Sequence, residues 1–136
     1  MQEHDKQFTI LQPAGWAAPK GYANGIAASG RQVFVAGQIG WNAQCRFESD
    51  DFVAQVEQAL GNIVAVLSEA DAEPRHVVRM TWYILDKRDY LGRAREVGEV
   101  YRRVMGRHFP AMTLVVVAGL LEDRARVEIE ATAVVP

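Results

Sequence analysis

The stretch 52–70, FVAQVEQALGNIVAVLSEA, and the one after it, 76–85, HVVRMTWYIL, decide the fold. In the first, Phe52, Val56, Leu60, Ile63 and Leu67 recur every three or four residues and make one apolar stripe, with Gln55, Gln58, Asn62 and Glu69 off it. That spacing is the period of an amphipathic helix. Asp50 and Asp51 stand at its start, where carboxylates accept free backbone N–H groups and suit the helix dipole. Pro74 blocks continuation, since its ring removes a donor and clashes with the preceding turn. In the second stretch Val78, Met80, Trp82 and Ile84 alternate with Val77, Arg79, Thr81, Tyr83 and Leu85. A period of two is a strand.

Downstream, Asp86 to Asp89 starts a second helix whose buried stripe is Tyr90, Ala94, Val97, Tyr101 and Val104. Gly106 ends it, and Pro110 prevents extension. Thr113 to Ala118 is continuously apolar, which predicts a strand buried on both faces. Arg126 to Val135 alternates again, with Val127, Ile129, Ala131 and Ala133 on one side and Glu128, Glu130, Thr132 and Val134 on the other. Upstream, Phe8 to Leu11 reads as a short strand, followed by a loop rich in Pro, Gly and Ala. Ile26 to Ser29 and Gln32 to Ala36 read as two strands joined by a hairpin-type turn at Gly30-Arg31, after which Gly37 to Gly40 opens a loop to Ser49.

The order β-β-β-α-β-α-β-β predicts an α+β domain with one mixed sheet and both helices on one face. The other sheet face mixes Tyr83, Leu85 and Val134 with Glu128, Glu130 and Thr132, a composition that suits contact with further copies of the chain.

The bulk composition agrees with one globular domain spanning residues 1–136. The chain is 49% hydrophobic and 24% charged, with a formal net charge of −2. That balance argues against a disordered chain and gives no general pull on nucleic acid or anionic lipid. A chain of this length buries roughly two-thirds of its unfolded surface, so its core needs no metal or disulfide. The single cysteine, Cys45, has no internal partner and points to a reducing compartment. Met1 to Gln7 is polar and unlike a signal peptide, and no apolar run reaches the length of a bilayer span, so a cytoplasmic location is expected. His4, His76 and His108 share no ligand spacing, which argues against a metal site.

Several short motifs then converge. Gly21-Tyr22, followed by Ala36-Gly37-Gln38-Ile39, the helix containing Gln55 and Asn62, the strand Val78 to Asp86, and above all Phe109-Pro110-Ala111 with Val127-Glu128-Ile129-Glu130-Ala131 resemble the signatures of the Rid family of imine deaminases, from about Phe8 to Val135. The resemblance implies a chorismate-mutase-like fold and a homotrimer with a cleft between each pair of subunits. It further implies a small-molecule ligand, no cofactor, and hydrolysis of enamines and imines to a ketoacid and ammonia. In active members an arginine directly after the proline-alanine pair grips the substrate carboxylate. Here that residue is Met112, the next is Thr113, and the serine before the glycine-glutamine pair is Ala36. Methionine offers no charge and no bidentate fork. Tyr22 and Gly37 match ligand-contacting positions, and Glu128 matches the glutamate that positions water.

Each of these has a duller reading. Glu128 and Glu130 serve equally well as partners for Arg79 or Arg126, Tyr22 as loop packing, and Met112 as core. Some family members have been labelled ribonucleases or translation inhibitors, and the second helix carries Arg88, Arg93, Arg95, Arg102, Arg103 and Arg107. Glu96 and Glu99 interrupt that run, which fits a solvated helix face better than an RNA-binding one. The leading expectation is a trimer that hydrolyses or binds an imine-type metabolite with altered specificity. The alternative is a metabolite-binding module without turnover.

Overall fold

Asp51 starts the longest helix of the chain, as its position predicts. Its backbone is extended and its carboxylate accepts the Ala54 N–H at 3.0 Å. The computed structural model describes residues 8–136, so His4 and the polar Met1–Gln7 stretch lie outside the described residues. Helix α1 covers Phe52–Glu69. Its stripe of Val56, Leu60, Ile63 and Leu67 has no exposed surface, and each such side chain contributes about 1.5–3 kcal/mol through burial. Gln55, read from sequence as lying off the stripe, is buried at 1% exposure. A buried amide is tolerable only when its polar atoms are bonded, and those of Gln55 are. Its Nε2 donates to the carbonyls of Ser49 and Arg124, and its Oε1 accepts the Arg126 N–H at 2.8 Å.

The strands are β1 (Phe8–Leu11), β2 (Gly25–Ala28), β3 (Arg31–Ile39), β4 (Val77–Ile84), β5 (Ala111–Val116) and β6 (Val127–Val135). A four-stranded sheet runs in the order β3-β6-β4-β5, with β4 and β5 parallel and the other pairs antiparallel. Helix α1 packs on β3 and β6, and a later helix packs on α1, so one sheet face is covered. Val127, Ile129, Ala131 and Ala133 of β6 meet the helices, as the alternation predicts.

Four expectations about the strands need correcting. β2 does not form a hairpin with β3. It pairs with β1 in a separate two-stranded ladder, and Gly30, at φ 141°, lets the chain turn away into β3. β3 does not end at Ala36 but runs to Ile39 through a bulge between Val35 and Gln38. On β4 a second irregularity between Val77 and Arg79 buries Val77 and leaves Val78 half-buried, although Met80, Trp82 and Ile84 face inward as read. β5 is an edge strand: Thr113 and Val115 are exposed on its open face and Val116 at its end, so only Met112 and Leu114 pack toward the helices.

The second helix is two helices, α2 (Lys87–Leu91) and α3 (Ala94–Met105). Asp86 caps α2 by accepting the Arg88 N–H, and Gly92 closes it by donating to the Arg88 carbonyl at 2.8 Å. A side chain at Gly92 would press on that carbonyl. The break moves the buried stripe of α3 to Val97, Val100, Tyr101 and Met105, leaving Ala94 exposed. Arg93, at the break, bonds both Asp51 and Glu96 and so joins the starts of α1 and α3.

The Asp51 carboxyl is held below its ordinary 3.8 by the Arg93 guanidinium and then by the Ala54 N–H. A carboxyl with a depressed folded-state pKa contributes stability that is present above its unfolded pKa and lost as pH falls through the folded one. We therefore expect Asp51→Ala to lose about 1 kcal/mol of stability at neutral pH. The difference from the wild type should narrow below about pH 4, as urea denaturation across the acid range will show.

Candidate functional site

The uncovered side of β6 presents Glu128, Glu130 and Thr132 in sequence. Two carboxylates on one strand face have different fates. Glu130 accepts the Tyr83 hydroxyl at 3.0 Å, and that bond, with the nearby negative charge, raises the phenol above its ordinary 10.0. Glu128 accepts no hydrogen bond among the described residues. Nor does an ion pair there join Arg79 to either glutamate, while Arg126 donates to the Asp50 carbonyl instead.

Glu128 is half-buried and lies against Gly37. A methyl group built on Gly37 would overlap the Glu128 Oε2, so the carboxylate occupies the space a side chain would need. The β3 bulge puts Gly37 there, and Glu128 sits in register with Ile39 and Tyr83. Gly37, Ile39, Trp41, Leu121 and Glu128 line a cavity of about 180 Å³. Within it Trp41 tilts against Phe47, with ring centroids 5.9 Å apart. A carboxylate free of partners, beside backbone that carries no side chain, is placed to orient and deprotonate a water molecule.

The other residues singled out from sequence gather at the opposite edge of the sheet. Gly21, at φ 79°, turns the loop so that Ala23 forms a parallel bridge with Ala111 and donates to the Pro110 carbonyl at 3.0 Å. Tyr22, 41% exposed, thereby sits beside the start of β5. It lines a cavity of about 360 Å³ with Ile10, Ile26, His108 and Phe109. Met112 is half-buried on the helix side of β5, in register with Met80, and lines a second cavity of about 290 Å³ with Trp82, Tyr90 and Phe109. Thr113 is exposed on the opposite side of the strand, in register with Thr81.

Within one chain, then, Gly37 and Glu128 share a cavity, whereas Tyr22, Met112 and Thr113 lie apart from them across the sheet. Phe109 separates the Tyr22 and Met112 cavities and stacks on Tyr101, centroids 5.5 Å apart. Trp16 is 62% exposed and lines none of these cavities. Sequence reading missed Lys20, Trp82, Tyr90 and Arg102, which surround Met112. Trp82 was visible only as an inward-facing strand residue, and nothing in its spacing marks it as a cavity wall. Among the described residues no three His, Cys, Asp or Glu side chains stand together to hold a metal, and no helix is long and apolar enough to cross a membrane.

A family model described as endoribonuclease L-PSP matches residues 14–135. A RutC family protein of Drosophila melanogaster, UK114, is 33% identical over 125 residues, covering 91% of this chain and 87% of that protein. The 2-iminobutanoate/2-iminopropanoate deaminase of Escherichia coli is 31% identical over 129 residues, covering 93% and 96%. The fold matches the crystal structure of a Rid-family protein of Yersinia pestis, YyfB, with a TM-score of 0.82, 28% identity, and coverage of 95% and 99%.

The Gly37–Glu128 contact generates a test of its own. Gly37→Ala should destabilise the chain by about 1–3 kcal/mol through overpacking. In a Glu128→Ala background the same change should cost less than roughly 0.5 kcal/mol, because the clashing carboxylate is gone. Equal penalties in both backgrounds, measured by chemical denaturation, would refute the contact.

Proposed function

Because this chain belongs to the endoribonuclease L-PSP family, which takes in the Rid and RutC proteins, we propose that it is an imine-type hydrolase of altered specificity. It works in the cytoplasm as a homotrimer, at clefts between adjacent subunits. The reaction adds water to a C=N carbon. Glu128 takes a proton from the water and passes it to the imine nitrogen as the C–O bond forms, giving a carbinolamine. The carbinolamine hydroxyl proton then moves by way of Glu128 to the same nitrogen, the C–N bond breaks, and ammonia leaves as the C=O bond forms. Tyr22 and the Gly37 backbone contact the ligand, and Met112 and Thr113 shape the cleft.

The observation that carries this reading is the unpartnered Glu128 carboxylate over Gly37. Glu130, on the same strand face, is by contrast bonded to Tyr83. Met112 supports the change of specificity, since an apolar thioether cannot neutralise a carboxylate next to the reacting carbon. The exposed apolar side chains Phe34 and Val115 on the uncovered sheet face support assembly, because bare apolar surface on a sheet suits an interface. The separation of Glu128 from Met112 and Tyr22 within one chain is what a cleft shared between subunits requires.

A freshly generated imine of a common amino acid should release ammonia only slowly with the wild type, and Met112→Arg should accelerate that release. Glu128→Gln should lower whatever turnover is present by about 10²-fold or more. Turnover that survives Glu128→Gln unchanged would leave the chain a metabolite-binding module.

A further inference from the structure

The cavity beside Met112 has a chemistry of its own. It lies where α3 meets the β4–β5 edge and measures about 290 Å³, near the lower bound of small-molecule sites. Trp82, Tyr90 and Phe109 give it aromatic walls. Flat, unsaturated molecules fit such walls well, because ring faces and edges offer both area and quadrupole contacts.

Two polar features set it apart from ordinary packing. First, the Trp82 Nε1 is the single buried side-chain polar atom among the described residues without a hydrogen-bond partner. Trp82 is 2% exposed and forms part of the cavity wall. An indole N–H can only donate, and a buried donor without an acceptor is costly to keep. Second, Lys20 and Arg102 stand exposed at the rim, and neither joins an ion pair among the described residues. By contrast Arg93, Arg95 and Arg103 on the same segment are all paired with carboxylates. Gly98, one turn before Arg102, lets that guanidinium lie back along α3: its Nη1 is 3.3 Å from where a side chain at residue 98 would begin.

We propose that this cavity binds a flat, unsaturated small molecule that ends in an acidic group. The acid sits between Lys20 and Arg102 at the mouth, and the Trp82 indole N–H donates to a second oxygen at the inner end. The positive charge that position 112 lacks is thus supplied from the helix side, at the far end of the ligand. The inference rests on the proposed function only for its link to turnover, through Met112 as a shared wall; binding stands apart from it.

The probe is p-coumarate, a planar unsaturated acid with an oxygen at its far end. Cinnamate lacks that oxygen, and p-coumaryl alcohol lacks the charge. Calorimetry should show each analogue binding about threefold or more weakly than p-coumarate. Lys20→Gln and Arg102→Gln, both at exposed positions, should each weaken p-coumarate by about three- to tenfold and leave p-coumaryl alcohol unchanged. The indole N–H resonance of Trp82, identified by its loss in Trp82→Phe, should move with p-coumarate and not with cinnamate. The proposal is overturned if p-coumarate does not bind, if the charge-neutralising variants bind it as the wild type does, or if the Trp82 resonance stays still at saturation because a water already accepts its proton. Glu128→Gln should leave p-coumarate affinity unchanged. If that binding pattern appears without any imine hydrolysis, the catalytic reading fails and the site stands. If hydrolysis is present but p-coumarate does not bind, the site fails and the catalytic reading stands.

Discussion

One buried amide governs where the central strand begins. Gln55 reaches from α1 to hold the Arg124 carbonyl and the Arg126 N–H, immediately before β6. Strand side chains alternate, so a slip of one residue would send Ile129 to the open face and Glu128 into the apolar layer. β6 is bonded on both sides, to β3 and β4, and an error in its register would pass to the whole sheet. Losing one partner of such a buried group costs about 1–3 kcal/mol, enough to discriminate strongly between the two registers. The fold and the candidate site therefore share one origin: the bond that buries Ile129 is the bond that presents Glu128 to the open face.

How much of this was legible in the sequence follows from what periodicity can report. The stripe of α1, the alternation of β6 and the inward faces of Met80, Trp82 and Ile84 were readable because each records repeated burial of apolar groups. Gln55 was not, because a satisfied polar residue in a core breaks the hydrophobic pattern without breaking the core. The β3 bulge and the irregularity near Val77 were equally hidden, since one extra residue shifts the phase of a strand without changing its composition. The division of the second helix at Gly92-Arg93 depends on a cap and a crowded carbonyl, neither of which repeats. At the site, motif resemblance picked out Gly37 and Glu128, which the structure brings together. It also picked out Tyr22, Met112 and Thr113, which lie elsewhere on the same chain. The cations near Met112 were invisible because loop and helix contribute them from positions 20 and 102.

Charge is distributed over this molecule in a consistent way. Arg93, Arg95 and Arg103 are tied to carboxylates, and Arg93 binds two, so half of the arginines from Arg88 to Arg107 have their charge matched. That arrangement weighs against an RNA-binding face. The acids follow the complementary rule: Glu57, Glu96 and Glu130 are engaged, and Glu128 is not. Glu128 on one side of the sheet, and Lys20 with Arg102 on the other, join no ion pair among the described residues, and each adjoins a cavity.

The outer border of β5 has a further consequence. Ala23 covers only its first rung, at Ala111, and the strand then runs on to Val116 with valine side chains in water. A bare parallel strand of this kind offers amide and carbonyl groups to any extended polypeptide. A newly made copy of the chain therefore carries a border that other extended polypeptides can join until something covers it.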